Sequence, residues 1–130
     1  MSLSGCVLDA SAALAFIQSE PGDDIVRDAL AHGATISSVN LAEVHSRLIA
    51  QGAASERVVA RLKAIGLEVE SFEEVDSLAV GEMEPTTRRA GLSLGDRACL
   101  ALAQRLGLRV LATDRALAEA DVGVDVVLIR

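Results

Sequence analysis

Five short segments with strand character recur along the chain, each separated from the next by a stretch with helical spacing. Val7-Leu8, Ala34-Thr35-Ile36, Glu68-Val69-Glu70, Val110-Leu111-Ala112 and Val126-Val127-Leu128-Ile129 read as strands. This alternation leaves few folds. Strands joined through helices require right-handed crossovers, hence a central, mostly parallel sheet covered by helices on both faces. The expectation is α/β: a three-layer α/β/α architecture with about five strands, spanning residues 1–130 as a single domain.

Polar and conformationally special residues punctuate the helices. Ser11 is expected to cap a helix reaching Gln18, Pro21 to open a second ending near His32-Gly33, and Asn40 to cap a third reaching Gln51-Gly52. Leu41, Val44 and Leu48 form one apolar stripe, and Val58, Leu62 and Ile65 another. Cys99, Leu100, Leu102 and Leu106 mark a largely buried helix. Glu84-Pro85-Thr86-Thr87 reads as a loop or hinge within the domain, and no internal repeat or low-complexity tract is present.

Composition excludes several function classes. The aromatic residues are Phe16 and Phe72 alone, which argues against a nucleic-acid binder that lays bases on an aromatic sheet. A formal charge of −7 repels a phosphate backbone unless metal ions or a partner supply positive charge. Eleven of the 12 basic residues are arginine, leaving Lys63 as the one lysine, so Schiff-base chemistry is disfavoured. Cys6 and Cys99 lie in apolar runs without metal-ligand spacing and are expected as reduced core thiols. His32 and His45 are too few and too poorly spaced for a zinc site. With no membrane-length apolar stretch and no basic, apolar leader, the chain reads as cytoplasmic; Met1-Ser2-Leu3 has the look of a cloning remnant.

Four acids fall where chain reversals should gather them. Asp9 follows the first strand, Glu43 lies early in the third helix, Asp96 sits in Leu94-Gly95-Asp96-Arg97, and Asp114 follows the fourth strand. In a parallel α/β sheet, ligands bind beyond the carboxyl ends of the strands, where Asp9 and Asp114 stand. Carboxylates forced into one pocket repel each other and either bind protons or hold a hard cation. The cluster therefore points to a magnesium site and metal-dependent hydrolysis.

Each acid also has a purely structural role available. Ser93-Leu94-Gly95-Asp96 and Asn40-Leu41-Ala42-Glu43 both match helix capping boxes, and Glu73 and Glu74 after Ser71 fit another. Glu43 is spaced to pair with Arg47, and Asp114 to cap the helix that follows. Asp9 has the weakest structural alternative, because Ser11 already serves as the cap. Ser11, Ser38 and Thr113 are candidates to orient carboxylates or waters around the pocket. Arg88, Arg89, Arg97 and Arg115 are candidates for phosphate contacts, with surface ion pairing as their other use.

Taken in order, these segments resemble a known family. Val-Leu-Asp9-Ala-Ser11-Ala-Ala-Leu-Ala, Ser38-Val-Asn-Leu-Ala-Glu43-Val, Gly91-Leu-Ser93-Leu-Gly-Asp96-Arg97-Ala-Cys-Leu-Ala-Leu-Ala and Val-Leu-Ala-Thr113-Asp114-Arg115 look like the ordered motifs of PIN-domain ribonucleases, most closely the VapC-type toxins. The third segment is the most specific. The resemblance covers nearly the whole chain and implies a PIN-like fold and an endoribonuclease dependent on Mg2+ or Mn2+. It maps the family's acidic quartet onto Asp9, Glu43, Asp96 and Asp114. It further implies a 5′-phosphate product, a substrate of single-stranded or loop RNA, a cognate antitoxin protein that blocks the groove, and a homodimer.

Three other readings compete. A haloacid-dehalogenase-type phosphatase needs a second acid where this chain has Ser11, and a suitably placed lysine. A receiver domain needs an acidic pair at the first strand and a late lysine, and no lysine follows Lys63. A catalytically inactive PIN-like interaction module keeps the fold without the chemistry, and the intact quartet disfavours it.

Overall fold

A computed structural model describes residues 5–130, so Met1-Ser2-Leu3 lies outside the described residues. Its strands are β1 (Cys6–Leu8), β2 (Ala34–Ser37), β3 (Leu67–Glu70), β4 (Val110–Ala112) and β5 (Val126–Leu128). They form one sheet in the order β3-β2-β1-β4-β5, parallel throughout. The expected parallel sheet and its five strands are present, with ends shifted by about a residue.

The central strand shows why both faces must be covered. All three residues of β1 are buried, and the period of two sends them to opposite sides. Cys6 and Leu8 join one core with Leu30, Ile36, Val44, Leu48 and Leu62. Val7 joins the other with Val80, Leu100, Leu102, Val110 and Leu117. Helices α1 (Ala10–Ile17), α2 (Asp23–Ala31), α3 (Ser38–Ala50) and α4 (Ser55–Ala64) contribute to the first core. Helices α5 (Glu74–Glu82), α7 (Leu94–Leu106) and α8 (Arg115–Ala118) contribute to the second. Cys6 and Cys99 are free, buried thiols, as expected of core positions, and burial pushes the Cys6 thiol up to about 11.

Several helix starts differ from the sequence reading. Asp9, not Ser11, caps α1, its carboxylate accepting from the Ala12 amide at 2.8 Å. Pro21 lies in the preceding turn and α2 starts behind Gly22, whose φ of 95° and closeness to Ile129 leave no room for a side chain: a Cβ there would sit 2.8 Å from Ile129 Cγ1. Ser37 caps α3 in place of Asn40, which is buried inside the helix. The box at α5 is formed by Glu73 and Asp76 rather than by Ser71. Glu84–Thr87 is a short helix, α6, with Pro85 in its first turn, not a hinge. Ile65 and Leu106 are partly exposed, at 47% and 36%, because Val59 takes the inward position on α4 and α7 turns Leu106 outward at its last turn.

The α7 box is formed as expected, with Ser93 Oγ accepting from Asp96 N at 3.1 Å and Asp96 Oδ2 accepting from Ser93 N at 3.0 Å. Among the described residues, no helix is long and apolar enough to cross a membrane.

Candidate active site

From β1 the chain winds through β2 to β3 on one side, while β4 and β5 extend the sheet on the other. The β1–β4 boundary is therefore the topological switch point, where the connections diverge and leave a crevice at the strand ends. Asp9 follows β1, its amide donating to Leu111 O at 3.2 Å, and Asp114 follows β4 by two residues. Glu43 reaches the same crevice from α3, and Asp96 from the first turn of α7. All four line one pocket of about 210 Å³, with Ser11, Asn40 and Arg47.

Asp9 is the buried member, 5% exposed. The Ser11 hydroxyl lies 2.7 and 2.9 Å from its two oxygens, and the Ala12 amide bonds the first. Burial pushes the Asp9 carboxyl up to about 6. The Ala12 amide and Ser11 hydroxyl pull it down, and the nearby Asp96 and Glu43 charges raise it further. Ser11 Oγ also accepts from the Thr113 amide at 3.2 Å, tying the end of β4 to Asp9.

Glu43 is held by an amide rather than by a cation. Asn40, 1% exposed, donates through Nδ2 to Glu43 Oε1 at 2.9 Å and to the Gly95 carbonyl at 3.0 Å. The neighbouring backbone is a close fit, because a Cβ at Gly95 would lie 2.8 Å from Glu43 Cδ. The expected Asn40–Glu43 capping box and the Glu43–Arg47 ion pair are both absent, since the Asn40 side chain is engaged inside the helix packing. Asp114 caps α8, accepting from Ala116 N at 2.9 Å, and Asp96 lines the pocket while serving the α7 box.

The donor set suits a hard cation in kind. It consists of carboxylate oxygens together with Asn40 Oδ1, which is buried without a hydrogen-bond partner among the described residues. In the present rotamers, no three His, Cys, Asp or Glu side chains among the described residues are grouped closely enough to hold an ion. Asp9 and Asp96 are fixed by hydrogen bonds to backbone amides, whereas the Glu43 carboxylate is held only by a side-chain amide.

The other sequence candidates separate. Ser11 belongs to the site, and Thr113 touches it through its amide. Ser38 does not line the pocket, its hydroxyl accepting from Phe72 N at 3.0 Å. None of the four proposed phosphate-binding arginines lines the pocket either. Arg97 turns to the Val80 carbonyl at 3.3 Å, Arg88 pairs with Glu84 at 2.7 Å, and Arg89 and Arg115 are exposed. The residues missed were Asn40 and Arg47. The signal was present: three residues before and four after Glu43 fall on one helical face.

The PIN domain family model matches residues 6–123, and the chain belongs to that family. Among solved structures it is similar to a toxin–antitoxin complex from Klebsiella pneumoniae (15% identity, TM-score 0.75, covering 96% of this chain and 98% of that one). It is also similar to DNA-bound VapBC from Salmonella typhimurium (18% identity, TM-score 0.72, covering 98% and 99%). A third is VapC20 of Mycobacterium tuberculosis, a toxin that cleaves the sarcin–ricin loop (15% identity, TM-score 0.68, covering 87% and 92%). At these identities the likeness is one of fold. No curated protein matches the chain.

Proposed function

We propose that this chain is a divalent-metal-dependent endoribonuclease of the VapC toxin type, restrained by a cognate antitoxin. The observation that carries the reading is the meeting of Asp9, Glu43, Asp96 and Asp114, from four separate elements, in one pocket at the switch point. These four carboxylates would hold Mg2+ or Mn2+. Such an ion supplies an activated water and offsets charge growing on the scissile phosphate. The chain's own residues do the rest. Ser11 and the Ala12 amide fix Asp9, Asn40 aims Glu43, and the α7 box fixes Asp96. Burial raises the Asp9 carboxyl to about 6, below neutral pH, so the group would be mostly ionised there and a bound cation would favour that charged form further.

The toxin part of the proposal draws on the toxin–antitoxin assemblies among the similar folds. It includes action as a cytoplasmic homodimer on single-stranded or loop RNA. The test is cleavage of single-stranded RNA with added magnesium or manganese, by wild type and by Asp9→Asn. A loss of more than about a hundredfold in the variant, and in wild type with excess chelator, is the expected result. Equal cleavage by folded Asp9→Asn overturns the site. Failure of the adjacently encoded protein to suppress toxicity on co-expression removes the toxin role and leaves the nuclease.

A further inference from the structure

Arg47 lies on α3 one turn beyond Glu43 and, among the described residues, is the single cation lining the acidic pocket. It also lines an adjoining trough of about 670 Å³ between α3 and the start of α7, walled by Val39, Ala42, Ala50 and Leu94. Glu43 and Arg47 are common to both spaces, so the trough opens from the site. Among the described residues the Arg47 guanidinium makes no ion pair and no hydrogen bond. Its donors are free beside four carboxylates, in a chain of net charge −7.

Among the described residues lining the pocket and the trough, Arg47 is the one cation that a polyanion would meet. A guanidinium is the group best shaped to take a phosphate in bidentate fashion. The trough sets Arg47 against Glu43 alone, so with a cation offsetting the pocket carboxylates it carries no net charge to repel a strand, and at Arg47 itself a phosphate is favoured over a basic side chain. Its walls carry no aromatic residue, and Leu94 is 57% exposed, offering an aliphatic surface for a sugar or base.

We propose that Arg47 anchors a phosphate of the substrate strand next to the scissile one, and that single-stranded RNA leaves the pocket along the trough between α3 and α7. This rests on the ribonuclease reading above. The test uses a fluorescent single-stranded oligoribonucleotide with calcium in place of magnesium. Anisotropy is followed across salt concentrations for wild type, Arg47→Ala, Arg47→Lys and Leu94→Glu, and steady-state cleavage is measured in manganese.

Arg47→Ala should weaken binding about tenfold and lower the slope of log Kd against log salt by about 0.7, the value for one single-strand phosphate contact. Arg47→Lys should keep that slope while losing part of the affinity. Leu94→Glu, at an exposed helix start where an acid is tolerated, should weaken binding about fivefold. In cleavage, Arg47→Ala should raise KM about tenfold and hold kcat within about threefold, with an unchanged manganese-induced rise in Tm. Unaltered affinity and slope in Arg47→Ala overturn the anchor, and unaltered affinity in Leu94→Glu overturns the path. An Arg47→Ala protein that binds RNA normally but no longer binds its antitoxin assigns the trough to a protein partner instead. RNA that binds through Arg47 without being cut keeps the anchor and removes the ribonuclease reading. Cleavage by Arg47→Ala with wild-type KM does the reverse.

Discussion

Asn40 and Gly95, 55 residues apart in the chain, are joined by a 3.0 Å hydrogen bond from a buried side-chain amide to a main-chain carbonyl. The bond ties the first half of α3 to the first turn of α7, and the same amide group holds Glu43. Two carboxylates from distant elements, Glu43 and Asp96, are thereby kept on one side of one pocket. Replacing Asn40 with Ala removes both bonds and leaves the Gly95 carbonyl without its donor. The expected loss is about 1–3 kcal/mol by urea denaturation with unchanged m-value, together with a smaller manganese-induced rise in Tm. A wild-type metal response in a destabilised Asn40→Ala protein assigns Asn40 to the fold alone.

Gly95 gives a complementary test in which stability and site geometry separate. A methyl group there would press on the Glu43 carboxylate, while alanine gains up to about 1 kcal/mol over glycine inside a helix. Gly95→Ala should therefore change stability by less than about 1 kcal/mol, yet displace Glu43 and lower metal-dependent cleavage about tenfold or more. Full activity in Gly95→Ala would show that the Glu43 rotamer seen here is not the working one.

Asp9 gives the metal-free protein a pH-dependent contribution to stability. Its carboxyl sits at about 6 in the fold against an ordinary 3.8, so the charged form is the disfavoured one. Its contribution to stability is fully present below about 3.8 and is lost as pH rises through about 6. In excess chelator, wild type should lose about 3 kcal/mol from this group between pH 4 and 7.5. Asp9→Asn keeps an acceptor for the Ala12 amide and should show a flatter profile and higher stability at pH 7.5. Identical pH slopes for the two proteins would contradict the burial of an ionisable Asp9.

How far the sequence reveals this site depends on the range of the interaction concerned. Asp9 and Asp114 were legible because each follows a strand, and the strands carried the strongest period. Asp96 was legible through a box that needs three residues of context. Asn40 was misread as a cap because an asparagine three residues before a glutamate matches that pattern. Its actual partner, the Gly95 carbonyl, lies across a tertiary contact that no local rule contains. On sequence alone Ser11 is preferred to Asp9 as the cap of α1, and the backbone geometry at the end of β1 gives that role to Asp9 instead. The four candidate arginines lie outside the pocket for a related reason. Arg97 follows Asp96 directly, but adjacent residues on a helix point about 100° apart, so it faces Val80 while Arg47 faces the pocket.

A second long-range tie was hidden in the same way. Arg105 grips Asp76 through two bonds, at 2.9 and 3.2 Å, joining α5 to α7. Burial alone would raise the Asp76 carboxyl, but the Arg105 guanidinium and the Glu73 amide outweigh it and hold the group below its ordinary value. Stability from this group is present above about 3.8 and is lost as pH falls through its lowered value. Arg105→Ala should cost about 1–3 kcal/mol at pH 7, with the deficit shrinking in acid, whereas cleavage at 25 °C stays within about twofold. A deficit that does not shrink on acidification would mean that Arg105 acts through packing, not through Asp76.

Asp96 carries two duties that can be measured apart, since its carboxylate accepts from the Ser93 amide and also lines the pocket. Asparagine retains an acceptor for the box, so metal-free Asp96→Asn should lie within about 0.5 kcal/mol of wild type, while Asp96→Ala loses the reciprocal bond and about 1 kcal/mol. Relief of repulsion toward Asp9 works in the same direction in both variants and cannot mask the difference between them. Manganese separates the second duty. A cation that binds only the folded protein adds about 2.7 kcal/mol at a hundred times its Kd, so wild type should rise in Tm with manganese, and both variants should lose most of that rise. Melts of the three proteins with and without manganese decide the matter. A full metal shift in Asp96→Asn would leave Asp96 as a helix cap and take it out of the metal site.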